Sequence, residues 1–135
     1  MIHLDSSFLV DLLRESRRRK RGPAHRFLAG RPDLEEACVS VHAVCELYVG
    51  VELTSHPEEE RGRIERLLST MTIEVPGEAF PGTYARLLVG LQARGMTVAT
   101  MDLLIATAAL CAQAPLVTRN PRHFERIQGL QVLTY

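Results

Sequence analysis

The sequence predicts an α/β fold: a mostly parallel central sheet of four or five short strands, flanked by helices. Three observations carry this. Short apolar runs alternate with segments of helical period along the whole chain. One helical segment, "DLLIATAALCAQ", is apolar nearly all round, which places it centrally and in the core. The chain has 135 residues, 46% of them hydrophobic, enough for one core without disulfides, so residues 1–135 are expected to form a single domain.

The elements follow in order. Residues 1–4 read as a very short strand. "SSFLVDLLRESRRRK" is helical, with Phe8, Leu9, Leu12 and Leu13 on one stripe, and Gly22 and Pro23 end it. "AHRFLAG" is a short helix closed by Gly30. "ACVSV" is a buried strand, and "HAVCELYVGVELT" a helix whose inner stripe is Val44, Leu47, Tyr48 and Val51. "SHPEEERGRIERLLSTM" opens on a capping box of Ser55 and Glu58, with Pro57 in the first turn, where a missing N–H costs little. "TIEV" is the third strand. Residues 79–94 are helical in their later part, with Pro81 and Gly82 blurring the start. After the apolar helix come the strand "PLVT", the helical turn "PRHFERI" and the strand "LQVLTY". There is no internal repeat, low-complexity segment or linker.

Composition narrows the function. Lys plus Arg number 16 and Asp plus Glu number 16, so the formal net charge is zero. Any contact with nucleic acid must come from local patches rather than a global basic excess. Cys38, Cys45 and Cys111 are odd in number, widely spaced and set in apolar sequence, with no CxxC pair. They read as buried reduced thiols, not as a zinc ribbon or a disulfide framework. Asp5 interrupts the first apolar stretch and no cationic segment precedes it, so no secretory leader is expected. "LLIATAALCA" is shorter than the roughly 20 residues that span a bilayer. A cytoplasmic protein with no membrane contact is expected.

In open parallel sheets, sites form beyond the carboxyl ends of the strands. Asp5 follows the first strand directly. Glu46 lies a turn into the helix after the second strand, Asp102 begins the buried helix, and Asn120 follows the fourth strand. Taken singly, Asp5 and Asp102 could be helix N-caps. Glu46 stands in "AVCELYVG", where a buried carboxylate without a partner is costly. Three acids that converge repel one another, so protonation or a bound dication must compensate. Oxygen ligands suit Mg²⁺ or Mn²⁺, and such an ion polarises a phosphodiester and lowers the pKa of bound water. If the three acids converge, the pattern points to metal-dependent phosphoryl-transfer chemistry, with hydrolysis its plainest form.

The chain resembles PIN domains, and in particular the VapC-type toxins of toxin–antitoxin pairs. The resemblance covers nearly the whole chain and is carried by "LDSSFLVDLL", "SVHAVCELYVG", "MDLLIATAAL" and "LVTRNPRHFERIQGL", in that order. It implies a metal-dependent endoribonuclease with Asp5, Glu46 and Asp102 as the catalytic, metal-binding cluster. It implies Ser6 and Thr118 as hydroxyl groups that orient ligands or water. It also implies a homodimer and a small VapB-like antitoxin that covers or fills the acidic groove. Many members carry a fourth acid after the fourth strand. Here the segment reads Asn120, Pro121, Arg122, His123, so an amide oxygen or an imidazole would stand in its place, and a second metal ion is in question. Asn120 also suits an N-cap before Pro121.

Other features have plainer readings. The basic run Arg17–Arg21 suits a helix C-terminus, and equally an RNA phosphate or an acidic antitoxin segment. His42 and Glu46 stand four apart on one helix face, but no third nitrogen or sulfur ligand has zinc-site spacing. His3 reads as structural. "PEEERGRIER" reads as a solvated face with pairs such as Glu59–Arg63. Arg86 and Arg94 could line an RNA path. A phosphatase with Asp5 as nucleophile would need a second acid at position 7, where Ser7 stands. A PIN-like module that binds RNA or protein without cutting is the remaining alternative.

Overall fold

The computed structural model describes residues 1–31 and 36–135. The elements run β1 (Ile2–Leu4), α1 (Ser6–Arg17), α2 (Pro23–Ala29), β2 (Ala37–Ser40), α3 (Val41–Leu53) and α4 (Pro57–Leu68). They continue with β3 (Thr72–Glu74), α5 (Phe80–Ala93), α6 (Thr100–Cys111), β4 (Leu116–Val117), a 3-10 turn (Pro121–His123) and β5 (Val132–Leu133). The five strands form one parallel sheet in the order β3-β2-β1-β4-β5. The chain winds outward from β1 through β2 to β3, then returns to lay β4 on the other side of β1. The switch point between β1 and β4 is where such sheets open a crevice beyond their carboxyl ends. Asp5 leaves β1 there, and Thr118 leaves β4.

The core forms on both faces of these short strands. Ile2, Leu4, Val39, Leu116 and Val117 are buried, and Phe8, Leu9, Leu12 and Leu13 of α1 pack with them as the helical period predicts. The apolar helix α6 buries Leu103, Ile105, Ala106, Thr107, Ala108 and Ala109. No helix among the described residues is long and apolar enough to cross a membrane.

Four local expectations change. The capping box at Ser55 does not form. Pro57 is the first helical residue, so the cap position falls to His56, which makes no side-chain cap bond, and Ser55 lies one residue too early. Pro81 does not delay α5, because the helix starts at Phe80 and Pro81 sits in its tolerant first turn. Arg63 does not pair with Glu59. It lines a cavity with Leu12, Leu13 and Arg66, and its Nη1 is buried without a partner among the described residues. Only Cys38 is buried; Cys45 and Cys111 lie on the outward faces of α3 and α6.

The start of α2 shows how one side chain sets a helix boundary. Its cap position is Gly22, which offers no side chain. Glu15 of α1 reaches across and accepts hydrogen bonds from Ala24 N at 2.9 Å and His25 N at 3.0 Å. A Cβ at residue 22 would collide with the Glu15 carboxylate. Gly22→Ala should therefore displace this borrowed cap and cost about 1 kcal/mol, the usual worth of an N-cap. A urea midpoint equal to that of the wild type would refute the borrowed cap.

Candidate active site

Asp5 leaves β1 at the switch point and is only 4% exposed. It is the N-cap of α1: Oδ1 accepts from Ser6 N at 2.8 Å. Oδ2 accepts from Ser7 Oγ at 2.8 Å and from Thr118 Oγ1 at 2.7 Å. Both hydroxyls are held in turn. Arg119 N donates to Ser7 Oγ at 3.1 Å, and Asn120 N donates to Thr118 Oγ1 at 3.0 Å. Asp5 is thus both cap and candidate site residue, and the end of β4 fixes its rotamer. Nearby, Tyr135 Oη and Arg119 Nη1 both donate to Asp11, tying the last residues to α1.

Ser6 bridges two acids. Its Oγ lies 3.4 Å from Asp5 Oδ1 and donates to Glu46 Oε1 at 3.1 Å. Glu46 is exposed, contrary to the buried position that its apolar neighbours suggested. The outward face of α3 is itself apolar, with Val49 57% and Leu53 81% exposed, so composition there does not report depth. Asp102 does not cap α6. The cap position is Ala99, and Asp102 lies in the first turn, where the helix dipole still favours its charge. Its Oδ2 is 3.1 Å from His123 Nδ1. Asn120 occupies the cap position of the 3-10 turn without a side-chain cap bond, so the capping role expected of it does not form.

The acids feel one another. Partial desolvation of its carboxyl in the crevice pushes Glu46 above its ordinary value, although the residue as a whole is exposed; the Ser6 hydrogen bond pulls it back, and the charges of Asp5 and Asp102 add to the rise. Asp102 is also raised, first by burial and then by Asp5, with His123 opposing. Glu46 and Asp102, with raised proton affinity, stand with the Asp5 carboxylate and an imidazole as a donor set that suits a dication.

Among the described residues, the one group whose ligand atoms all lie within 4.8 Å of one another is a different one: His3, Cys38 and Glu74. By donor type this cluster could hold a metal. It arises from sheet register, since His3 pairs with Cys38 across β1 and β2 and β3 brings Glu74 alongside. Two of its side chains already pair, with His3 Nε2 2.8 Å from Glu74 Oε2. Burial, with help from the Glu74 and Glu36 charges, pushes the Cys38 thiol up to about 11, which disfavours the thiolate that binds metal. The acids of the crevice stand further apart, as like charges do.

Ser7 is a candidate site residue that the sequence does not single out. It appeared only as the absence of a second acid. Its signal was position: a small hydroxyl in the first helical turn, two residues after the acid and on the inner side. Thr118→Val tests the hydroxyl frame without changing side-chain volume much. It removes one donor to Asp5 and orphans Asn120 N–H, which should cost about 2 kcal/mol in EDTA-treated protein. A urea titration showing less than a quarter of that loss would contradict the assigned role.

The sheet order and the acid-lined switch point together define a PIN domain. The PIN domain family model matches residues 2–130, and the chain belongs to that family. A named relative is Ribonuclease VapC1 of Rickettsia felis, 37% identical over 103 residues, 73% of this chain and 76% of the relative. Ribonuclease VapC2 of Haemophilus influenzae is 30% identical over 112 residues, 83% of this chain and 85% of that one. In three dimensions the chain resembles VapBC2 from Rickettsia felis bound to a DNA fragment from their promoter. The TM-score there is 0.90 over 100% of this chain and 99% of that one, at 24% identity, a likeness of fold.

Proposed function

We propose that residues 1–135 form one PIN-domain endoribonuclease that hydrolyses RNA phosphodiester bonds with Mg²⁺ or Mn²⁺, as the toxin of a toxin–antitoxin pair. The observation that carries this reading is the meeting of Asp5, Glu46 and Asp102, three acids from three elements, around one hydroxyl-framed crevice. In this reading the three carboxylates hold the ion, which supplies a polarised phosphodiester and a water of lowered pKa. Ser7 and Thr118 hold Asp5 in one rotamer, and Ser6 keeps Glu46 facing it.

Arginines flank the acids on both sides. Arg14 and Arg17 share a groove of about 220 Å³ with Glu46. Arg122 and Arg126 share a cavity of about 320 Å³ with Asp102. They give a chain of zero net charge the local positive rim that an RNA backbone needs. The basic run contributes Arg17 to it, although Arg17 also pairs with Glu60 at 2.6 Å. The exposed apolar face of α3, with Val49 and Leu53, fits a homodimer or antitoxin contact. The names of the VapC relatives support the ribonuclease reading.

The test is cleavage of a structured RNA by the purified chain, with Mg²⁺ or Mn²⁺ and with EDTA. Cleavage that needs the ion supports the reading. RNA left intact under all ionic conditions, with metal absent from the protein in a millimolar titration, favours the non-catalytic binding module instead.

A further inference from the structure

We propose that His123 is a nitrogen ligand to the ion that Asp102 binds, and that the site therefore selects a first-row transition cation over Mg²⁺. This rests on the proposed metal site above. The first observation is a distance. His123 Nδ1 lies 3.1 Å from Asp102 Oδ2. Two neighbouring ligands on a six-coordinate ion, with bonds of about 2.1–2.2 Å, stand about 3 Å apart, so both atoms can serve one ion with little movement.

The second observation is the company they keep. The cavity beside Asp102 is lined by Thr97, Val98, Ala99, Arg122, His123 and Arg126. The arginines cannot ligate a cation. No carboxylate other than Asp102 lines it, and Glu125 and Asn120 are not among its walls. The imidazole is the strongest additional donor the chain presents there.

The third is how His123 is placed. The 3-10 turn begins at Pro121, and His123 N donates to Asn120 O at 3.1 Å. The next residue, Phe124, is 1% exposed and anchors the turn in the core. The backbone is pinned while the half-exposed ring keeps enough freedom to meet an ion.

The consequence is chemical. Replacing a carboxylate by an imidazole removes one negative charge and supplies a softer donor. Mg²⁺ takes oxygen ligands and holds its waters, so it gains little from the exchange. Affinity for nitrogen-containing sites climbs through the first-row divalent series.

The full chain, stripped with EDTA, is titrated with Mn²⁺ and Mg²⁺ in competition by calorimetry, and the Mn²⁺ form is studied by pulsed electron paramagnetic resonance. Wild type, His123→Asp and His123→Ala are compared. Nitrogen coupling to bound Mn²⁺ should appear in the wild type and vanish in both variants. The ratio of Mn²⁺ to Mg²⁺ affinity should fall about tenfold in His123→Asp, the scale on which partners in metal sites act. Absence of nitrogen coupling in the wild type, or an unchanged ratio in His123→Asp, overturns the proposal. If metal-dependent RNA cleavage persists in that case, this inference alone falls. If neither ion binds the wild type and RNA stays intact, the proposed function falls with it.

Discussion

Asp102→Asn is expected to leave the chain folded and to lower metal-dependent RNA cleavage by about a thousandfold. That factor corresponds to about 4 kcal/mol of lost transition-state stabilisation, the size expected when a charged group is removed from a preorganised site. The fold should survive because Asp102 caps nothing: the cap position of α6 is Ala99, and the Asp102 contact is with His123 at the protein surface. In EDTA the variant should be at least as stable as the wild type. Burial and the Asp5 charge raise the Asp102 carboxyl above its ordinary value of 3.8. A folded acid that holds its proton more tightly than the unfolded chain does is a net cost to folding once it ionises. That cost is present at neutral pH and fades as pH falls through the raised value. The amide carries no such charge, so the stability gain should shrink in acid. Single-turnover cleavage and a thermal melt at pH 7 and pH 4 read both effects. A variant that cleaves like the wild type, or that unfolds, would contradict the assignment.

Phe8→Ala should be the most damaging single core substitution near the site. Phe8 is fully buried and meets two aromatic rings edge-on, Tyr135 at 4.6 Å and Phe27 at 5.8 Å between centroids. Its backbone N–H donates to Asp5 O at 3.1 Å, so it belongs to the turn that presents the central acid. Truncation of a buried phenylalanine costs about 3–5 kcal/mol through lost transfer energy and the cavity left behind. Against a total of roughly 5–15 kcal/mol this is a large share. Tm should fall by about 15 °C. The ring triangle joins α1, α2 and the C-terminal residue, so Tyr135 should become mobile as well. Equilibrium urea unfolding checks the first part, and a loss below about 1 kcal/mol would mean that the cavity collapses more completely than this packing suggests.

Much of the architecture was legible because strand and helix periods are local properties. Phe8, Leu9, Leu12 and Leu13 announce α1 by spacing alone, and the alternation of elements announces a parallel sheet. Asp5, Glu46 and Asp102 stand out as candidates through their positions after strands and through family resemblance. What stayed hidden depends on tertiary placement. A hydroxyl in the first turn of α1 looks the same in sequence whether it faces water or, like Ser7, a buried carboxylate. The apolar face of α3 reads as core, yet Val49 and Leu53 are exposed, and Glu46 with them. The His3–Cys38–Glu74 cluster joins residues 71 positions apart and exists only through strand register. His123 drew less weight than Asn120, because the direction of a side chain on a 3-10 turn cannot be read from spacing.

The central claim is that the acids act as one site. A double-mutant cycle on Asp5→Asn and Asp102→Asn, read as single-turnover RNA cleavage, tests it most directly. Groups that act as a unit are strongly non-additive: once one is lost, removing the other costs little more. The double variant should cleave within about threefold of the slower single variant. Losses that multiply, so that the double variant is slower by the product of the two single effects, would contradict it.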